Sequence, residues 1–158
     1  MSTSTDAILA YGYDLGGDDE WKIHEAGEYG ELPTLDWYDP ETDEDGFEEM
    51  AERRLLAEVA GFAETDWRAE GYHNRKREAR ARLGVEFDTY CSDECPMYLL
   101  AAHVTTVHRG GIQVMDPADL ARRPVEQGWD AKLAAALAAL GLTPVQDQPR
   151  WLLCSYWG

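Results

Sequence analysis

Residues 85–115, VEFDTYCSDECPMYLLAAHVTTVHRGGIQVM, decide how the chain is read. Val85-Glu-Phe-Asp-Thr-Tyr-Cys91 alternates apolar and polar side chains, as a strand with one buried face requires. Residues 98–109 read as another strand, most firmly at the β-branched Val104-Thr-Thr-Val107, while Leu99 to Ala102 fits a helix equally well on pattern alone. Gly110-Gly111 is the dipeptide of a tight hairpin turn, so Ile112 to Met115 is expected to return as the partner strand. Three strands in succession with no helix between them point to an α+β chain rather than to alternating βαβ units.

Toward the N-terminus, helical spacing of Phe47, Met50, Ala51, Leu55, Val59 and Phe62 predicts a helix starting near Gly46, with Asp45 and Glu48 as a capping-box-like pair. Thr65 or Asp66 is positioned to cap a second helix running to Leu83 and stopped by Gly84. Residues 7–15 read as a first strand ended by Gly16-Gly17. Between strand and helix, residues 18–46 are irregular, rich in Gly, Pro and acids, and studded with Trp21, Tyr29, Leu35, Trp37 and Tyr38 that can pin them to the body. Toward the C-terminus, Asp116-Pro117 opens a short helix. Trp129, Leu133, Leu137 and Leu140 share one face of an alanine-rich helix stopped by Gly141, and residues 150–156 read as a mostly buried last strand. The expected fold is a single α+β domain over 1–158, with about five strands in a mixed or antiparallel sheet and helices packed on one side.

The chain has 158 residues, an apolar fraction of 44% and six Trp with eight Tyr, which suits a packed core rather than disorder. Three cysteines, no export signal at the first residues and no long apolar run lead to the expectation of a reduced, cytoplasmic, membrane-free protein. The net charge of −17 is confined to residues 1–66, where twenty acids face only Lys22, Arg53 and Arg54; the remainder sums to zero. Such a field repels nucleic acid and anionic membrane and attracts basic partners or cations.

Four constellations carry possible chemistry. Glu41-Thr-Asp43-Glu-Asp45-Gly46-Phe-Glu-Glu-Met-Ala-Glu52 follows the spacing of a calcium loop, with Glu41, Asp43, Asp45 and Glu52 as carboxylate ligands, although Pro40 opposes an entering helix and no second loop is present. Cys91 and Cys95 with His103 and His108 offer the donor types of zinc at poor spacing, and on one strand the two histidines face opposite ways. Arg68, Arg75, Lys76, Arg77, Arg80 and Arg82 gather on one helix as a phosphate-binding footprint would, but the acids of the first half are their natural internal partners. Finally, Asp36, Asp39, Glu41, Asp43, Glu44, Asp45, Glu48 and Glu49, with Trp37 and Tyr38 as aromatic anchors, form a row that can imitate a phosphate backbone toward a basic protein. No nucleophile elbow, phosphate loop or dinucleotide fingerprint is present, so no catalytic set can be named.

Ile8-Leu-Ala-Tyr-Gly-Tyr-Asp-Leu-Gly-Gly17, His103-Val-Thr-Thr-Val-His-Arg-Gly-Gly-Ile112, Trp129-Asp-Ala-Lys-Leu133, Leu140-Gly-Leu-Thr-Pro144 and Trp151-Leu-Leu-Cys-Ser-Tyr-Trp-Gly158 resemble small uncharacterised proteins of actinobacteria and their phages. The resemblance spans most of the chain except the acidic segment. It implies an intracellular bacterial or phage product and brings no activity, ligand or catalytic residue with it. The functional expectation is a non-enzymatic accessory or regulatory protein that binds a basic protein, such as a nucleic-acid-binding one. The alternative is a metal-dependent protein holding calcium at 41–52 or zinc at 91–108.

Overall fold

A long antiparallel ribbon of β1 (Thr5–Gly17) and β3 (Pro96–His108) is the frame on which everything else is laid. In sequence between them come α1 (Phe47–Glu58), α2 (Tyr72–Leu83) and β2 (Glu86–Ser92), and after them α3 (Pro117–Glu126), α4 (Trp129–Leu140) and β4 (Arg150–Trp157). This computed structural model describes residues 4–158.

The ribbon does not stay flat. Its register slips between Tyr11 and Gly12, where Ala102 has no partner, and again between Asp14 and Gly16, where Leu15 has none. Each bulge bends the strand and adds twist. At the first of them the strands come so close that a Cβ on Gly12 would sit 1.9 Å from the Leu100 carbonyl oxygen. β4 lines the first half of β1, from Thr5 opposite Trp157 to Gly12 opposite Arg150, and β2 lines the first half of β3. The curled ribbon brings these outer strands together in parallel at Cys91–Tyr156 and Ser92–Trp157, closing a four-stranded mixed barrel in the order β1-β3-β2-β4.

Alternation along the strands then makes two cores. Ile8, Ala10, Leu99 and Ala101, with Tyr90, Val104, Leu152, Cys154 and Tyr156, form one cluster drawn from all four strands and no helix, which places it inside the barrel. Tyr11, Leu15 and Leu100 face outward and join the helices through Leu55, Leu133 and Leu140 in a larger cluster. Leu15, Leu100 and Leu133 are fully buried, and each such leucine contributes roughly 2 kcal/mol by removal from water.

Several expectations are met and several are corrected. The helices stop where glycine was expected to stop them, Gly84 at φ 68° and Gly141 at φ 67°, both left-handed. Asp116 accepts the Ala118 N–H at the start of α3, and Pro117 is its first residue. The capping box at α1 does not form, because Asp45 pairs with Arg53 and Glu48 accepts the Thr89 hydroxyl instead; Gly46 is the N-cap. α2 starts at Tyr72 rather than near residue 66, since Gly71 takes φ 76°, a conformation that a right-handed helix cannot pass through.

The fifth strand is absent among the described residues, and the sheet has four. Gly111 does make a turn, its N–H donating to the His108 carbonyl, but the chain leaves the sheet there, and Ile112 and Val114 are 91% and 87% exposed. β3 finds its hairpin partner in β2, through the turn between Cys91 and Pro96, and holds β1 on its other edge. That double pairing also makes Leu99 to Ala101 strand rather than helix. β4 is half-buried instead of mostly buried, because no helix covers its outer side at Leu153 and Trp157. Among the described residues no helix is long and apolar enough to cross a membrane.

Candidate functional site

The acidic segment is irregular but firmly attached. Trp21 is buried, its backbone N–H donating to the Gly30 carbonyl, and its ring meets Phe47 and Tyr98. Trp37 donates its indole N–H to the Leu140 carbonyl at 2.8 Å, and Leu35 and Tyr38 exchange backbone hydrogen bonds. Trp37 and Tyr38 stack with ring centroids 5.9 Å apart, and both lean on Phe47, the first residue of α1. Trp21, Trp37 and Tyr38 turn inward and leave most of the carboxylates between them facing solvent, whereas Tyr29, expected to help pin the segment, is 86% exposed and does not.

Their surroundings divide the row. Asp36 pairs with Arg54 at 3.6 Å, Asp45 with Arg53 at 3.0 Å and Glu52 with Arg80 at 2.5 Å. Glu48 turns toward β2, where burial pushes its carboxyl up despite the Thr89 hydrogen bond. Glu49 looks into a groove of about 730 Å³ between α1 and α2, beside Arg53, Lys76 and Arg80. What remains is a turn at 39–44. Asp39 Oδ1 accepts the Glu41 N–H at 2.9 Å, Asp43 Oδ2 accepts the Asp39 N–H at 2.7 Å, and Glu41, Asp43 and Glu44 are exposed.

The fold adds a residue to this turn that the sequence did not place there. Leaving β1, the chain bends back at Gly17, and the Asp18 N–H donates to the Pro96 carbonyl. Asp18 thereby joins Asp39 and Asp43 around Tyr38, whose phenol is pushed up first by burial and then by Asp43, Asp18 and Asp39. Tyr98 beside it is pushed up to about 12 by burial, with Asp18 and Glu48 adding to it. Among the described residues, none of Asp18, Asp19, Asp39, Glu41, Asp43 and Glu44 has a lysine or arginine within ion-pair distance.

The two metal constellations are not assembled. Of the calcium-loop carboxylates, Asp43 serves a backbone amide while Asp45 and Glu52 are bound to different arginines, so they do not converge with Glu41. Cys91 and Cys95 lie at the turn that begins β3. His103 is seven residues along that strand from Pro96, roughly 23 Å away at the usual strand rise. His103 faces the helices, stacked on Trp129, and His108 faces the other way toward Asp6 at 2.8 Å, the opposite orientation that strand parity requires. Among the described residues no three His, Cys, Asp or Glu side chains are arranged to hold a metal ion.

Sequence reading did not single out the cluster that the helices build over β3. Tyr11, His103, Trp129 and Trp151 pack ring against ring, Tyr11 donates to Asp130 Oδ1 at 2.6 Å, and the Arg123 guanidinium lies 5.2 Å from the Trp129 ring centre. In the basic helix α2, Arg75 pairs with Glu64 and Arg80 with Glu52, while Arg82 donates to the Ala60 carbonyl; Arg68 lies outside the helix. Comparison of the chain with protein-family models, curated proteins and solved structures returns no match in any of the three.

Proposed function

We propose that the chain is a non-enzymatic accessory protein that binds a basic protein through the face formed by Asp18, Asp19, Asp39, Glu41, Asp43 and Glu44, with Trp37 and Tyr38 beneath it. One observation carries the reading. Two acidic stretches separated in sequence meet around Tyr38, and among the described residues no lysine or arginine pairs with them, although arginines nearby neutralise their neighbours Asp36 and Asp45. Like charges gathered at one place raise the free energy of the unbound protein, and a basic partner relieves that repulsion. Half-buried aromatics at the foot of the patch give such a partner a firm, apolar surface.

In its sharpest form the reading makes this a bacterial or phage regulator acting in the cytoplasm. Its carboxylates would then occupy the phosphate-binding cleft of a host nucleic-acid-binding protein. The test is capture of partners from an actinobacterial lysate by the wild-type protein and by the Asp39→Lys, Asp43→Lys double variant. A basic nucleic-acid-binding protein should stay on the wild type, leave as salt rises, and be displaced by added duplex DNA. It should not bind the variant. Equal retention on the variant at physiological salt overturns the proposal.

A further inference from the structure

The turn between β2 and β3 holds two thiols. Cys91 is exposed and lies directly opposite Pro96 in the β2–β3 ladder, and Cys95 is the residue before Pro96, across a turn of Ser92, Asp93 and Glu94. Cys91 and Cys95 are side-chain neighbours across this turn, close enough for their thiols to interact directly. Cys91 is also the one non-glycine among the described residues with a left-handed backbone, φ 75°. Such a conformation is unfavourable for a residue with a side chain and persists where the surroundings hold it. The Cys95 thiol is half-buried and pushed up by burial first, then by the neighbouring Cys91, Asp19 and Asp18. Cys154 sits apart, half-buried with the barrel's inner cluster.

We propose that Cys91 and Cys95 are a reversible dithiol–disulfide couple that closes across this turn by exchange with a small, uncharged disulfide. Cys91 gives its proton to solvent, and its thiolate attacks one sulfur of the reagent. The reagent's S–S bond breaks and one small thiol leaves with a proton. The Cys95 thiolate then attacks Cys91 Sγ, forming the internal bond and expelling the second small thiol. The protein is oxidised by two electrons, and the two small thiols carry away the two hydrogens. The reagent has to be uncharged, because Asp93 and Glu94 in the turn and Asp18 and Asp19 beside it repel an anionic disulfide.

The site of closure is also the seam of the barrel. Cys91 and Ser92 are the β2 residues that meet β4, and the Tyr156 hydroxyl donates to Asp93 in the same turn. A bond from Cys91 to Cys95 therefore pins the last turn of β2 where the sheet closes. It borders the acidic face at Asp18 without depending on what that face binds.

The experiment treats the folded wild-type chain with excess 2-hydroxyethyl disulfide at several pH values, traps remaining thiols by alkylation, and reads intact mass and peptides. The expected product has lost two hydrogens, carries a Cys91–Cys95 bond and leaves Cys154 alkylated. Its rate should rise with pH, because the thiolate is the nucleophile. Cys95→Ser should stop at a stable mixed disulfide on Cys91. Mixed disulfides on both cysteines without closure, or a bond to Cys154, overturn the proposal. So does a Cys91 in Cys95→Ser that reacts only when the chain is unfolded. No partner enters the measurement, so its outcome is separate from that of the acidic-face test.

Discussion

His103 stacks flat on Trp129, with ring centres 5.3 Å apart and planes within 6°, while its Nε2 shares a hydrogen bond with Thr105. Burial first, and the Arg123 guanidinium second, lower its affinity for a proton. In the unfolded chain the imidazole protonates near the ordinary value of about 6.5, and in the folded protein it does so only at lower pH. Between those values the unfolded state binds more protons, so stability is complete above the window and is lost as pH falls through it. Urea unfolding at about pH 7.5 and about pH 5.5 should therefore show a larger loss in the wild type than in His103→Gln. The raised carboxyls of Glu48, Glu86 and Asp88 have the opposite sign, but they are common to both proteins and cancel in the difference. Equal losses would take His103 out of the account. Gly12 is a second test of a single position. An added Cβ meets backbone that cannot swing aside, so Gly12→Ala should cost about 3 kcal/mol of unfolding free energy measured in urea, at the upper end of overpacking effects.

Among the elements, α1 is the one that joins the acidic segment to the body, and Phe47 is where the join is made. It touches Trp21, Trp37, Tyr38, Phe87 and Tyr98, drawn from the segment and from two strands. Phe47→Ala should cost about 3–5 kcal/mol and speed amide exchange at Leu35 and Tyr38, whose mutual hydrogen bonds rest on that packing. The stretch after β3 predicts the opposite. Ile112→Asn and Val114→Asn should each change stability by less than about 0.5 kcal/mol, a result a true hairpin strand would not tolerate. That stretch also shows what local pattern can and cannot carry. Periodicity and terminal glycines placed α1, α4 and β2, whose buried face is written in residue spacing, whereas apolar and β-branched composition placed β1, β4 and the second half of β3. Whether Ile112 to Met115 pairs is decided by which edges of β3 are taken, a matter of β1 and β2. The bulges at Ala102 and Leu15 leave no mark in the pattern either. For the same reason the acidic row 36–49 was legible as composition, whereas its division among Arg53, Arg54 and Thr89, and its meeting with Asp18, were not. Gly71 leaves no mark in the pattern as a helix start, because the bases on either side of it, Arg68 before and five from Arg75 to Arg82 after, read as one long helix.

For the molecule as a whole, charge sets the response to salt. A net charge of −17 with all its excess in the first 66 residues is self-repelling, and the ion pairs set against it are mostly exposed and individually weak. Raising ionic strength from about 0.01 M to about 0.15 M shortens the screening length from about 30 Å to about 8 Å, which quiets long-range repulsion more than contact pairs. The thermal midpoint should rise over that range, and a fall would mean that the pairs outweigh the repulsion. The barrel has a further bearing on the life of the chain as it is made. β1 leaves the ribosome before the other three strands, yet its two neighbours are β3 and β4, and Thr5 faces Trp157 across the ladder. Ile8, Ala10 and Tyr11, all buried at the end, must therefore stay without strand partners until about a hundred further residues have followed. At ordinary rates of synthesis that is on the order of 5–20 s of exposure for an apolar strand, long enough for a chaperone to hold it or for nascent neighbours to pair with it.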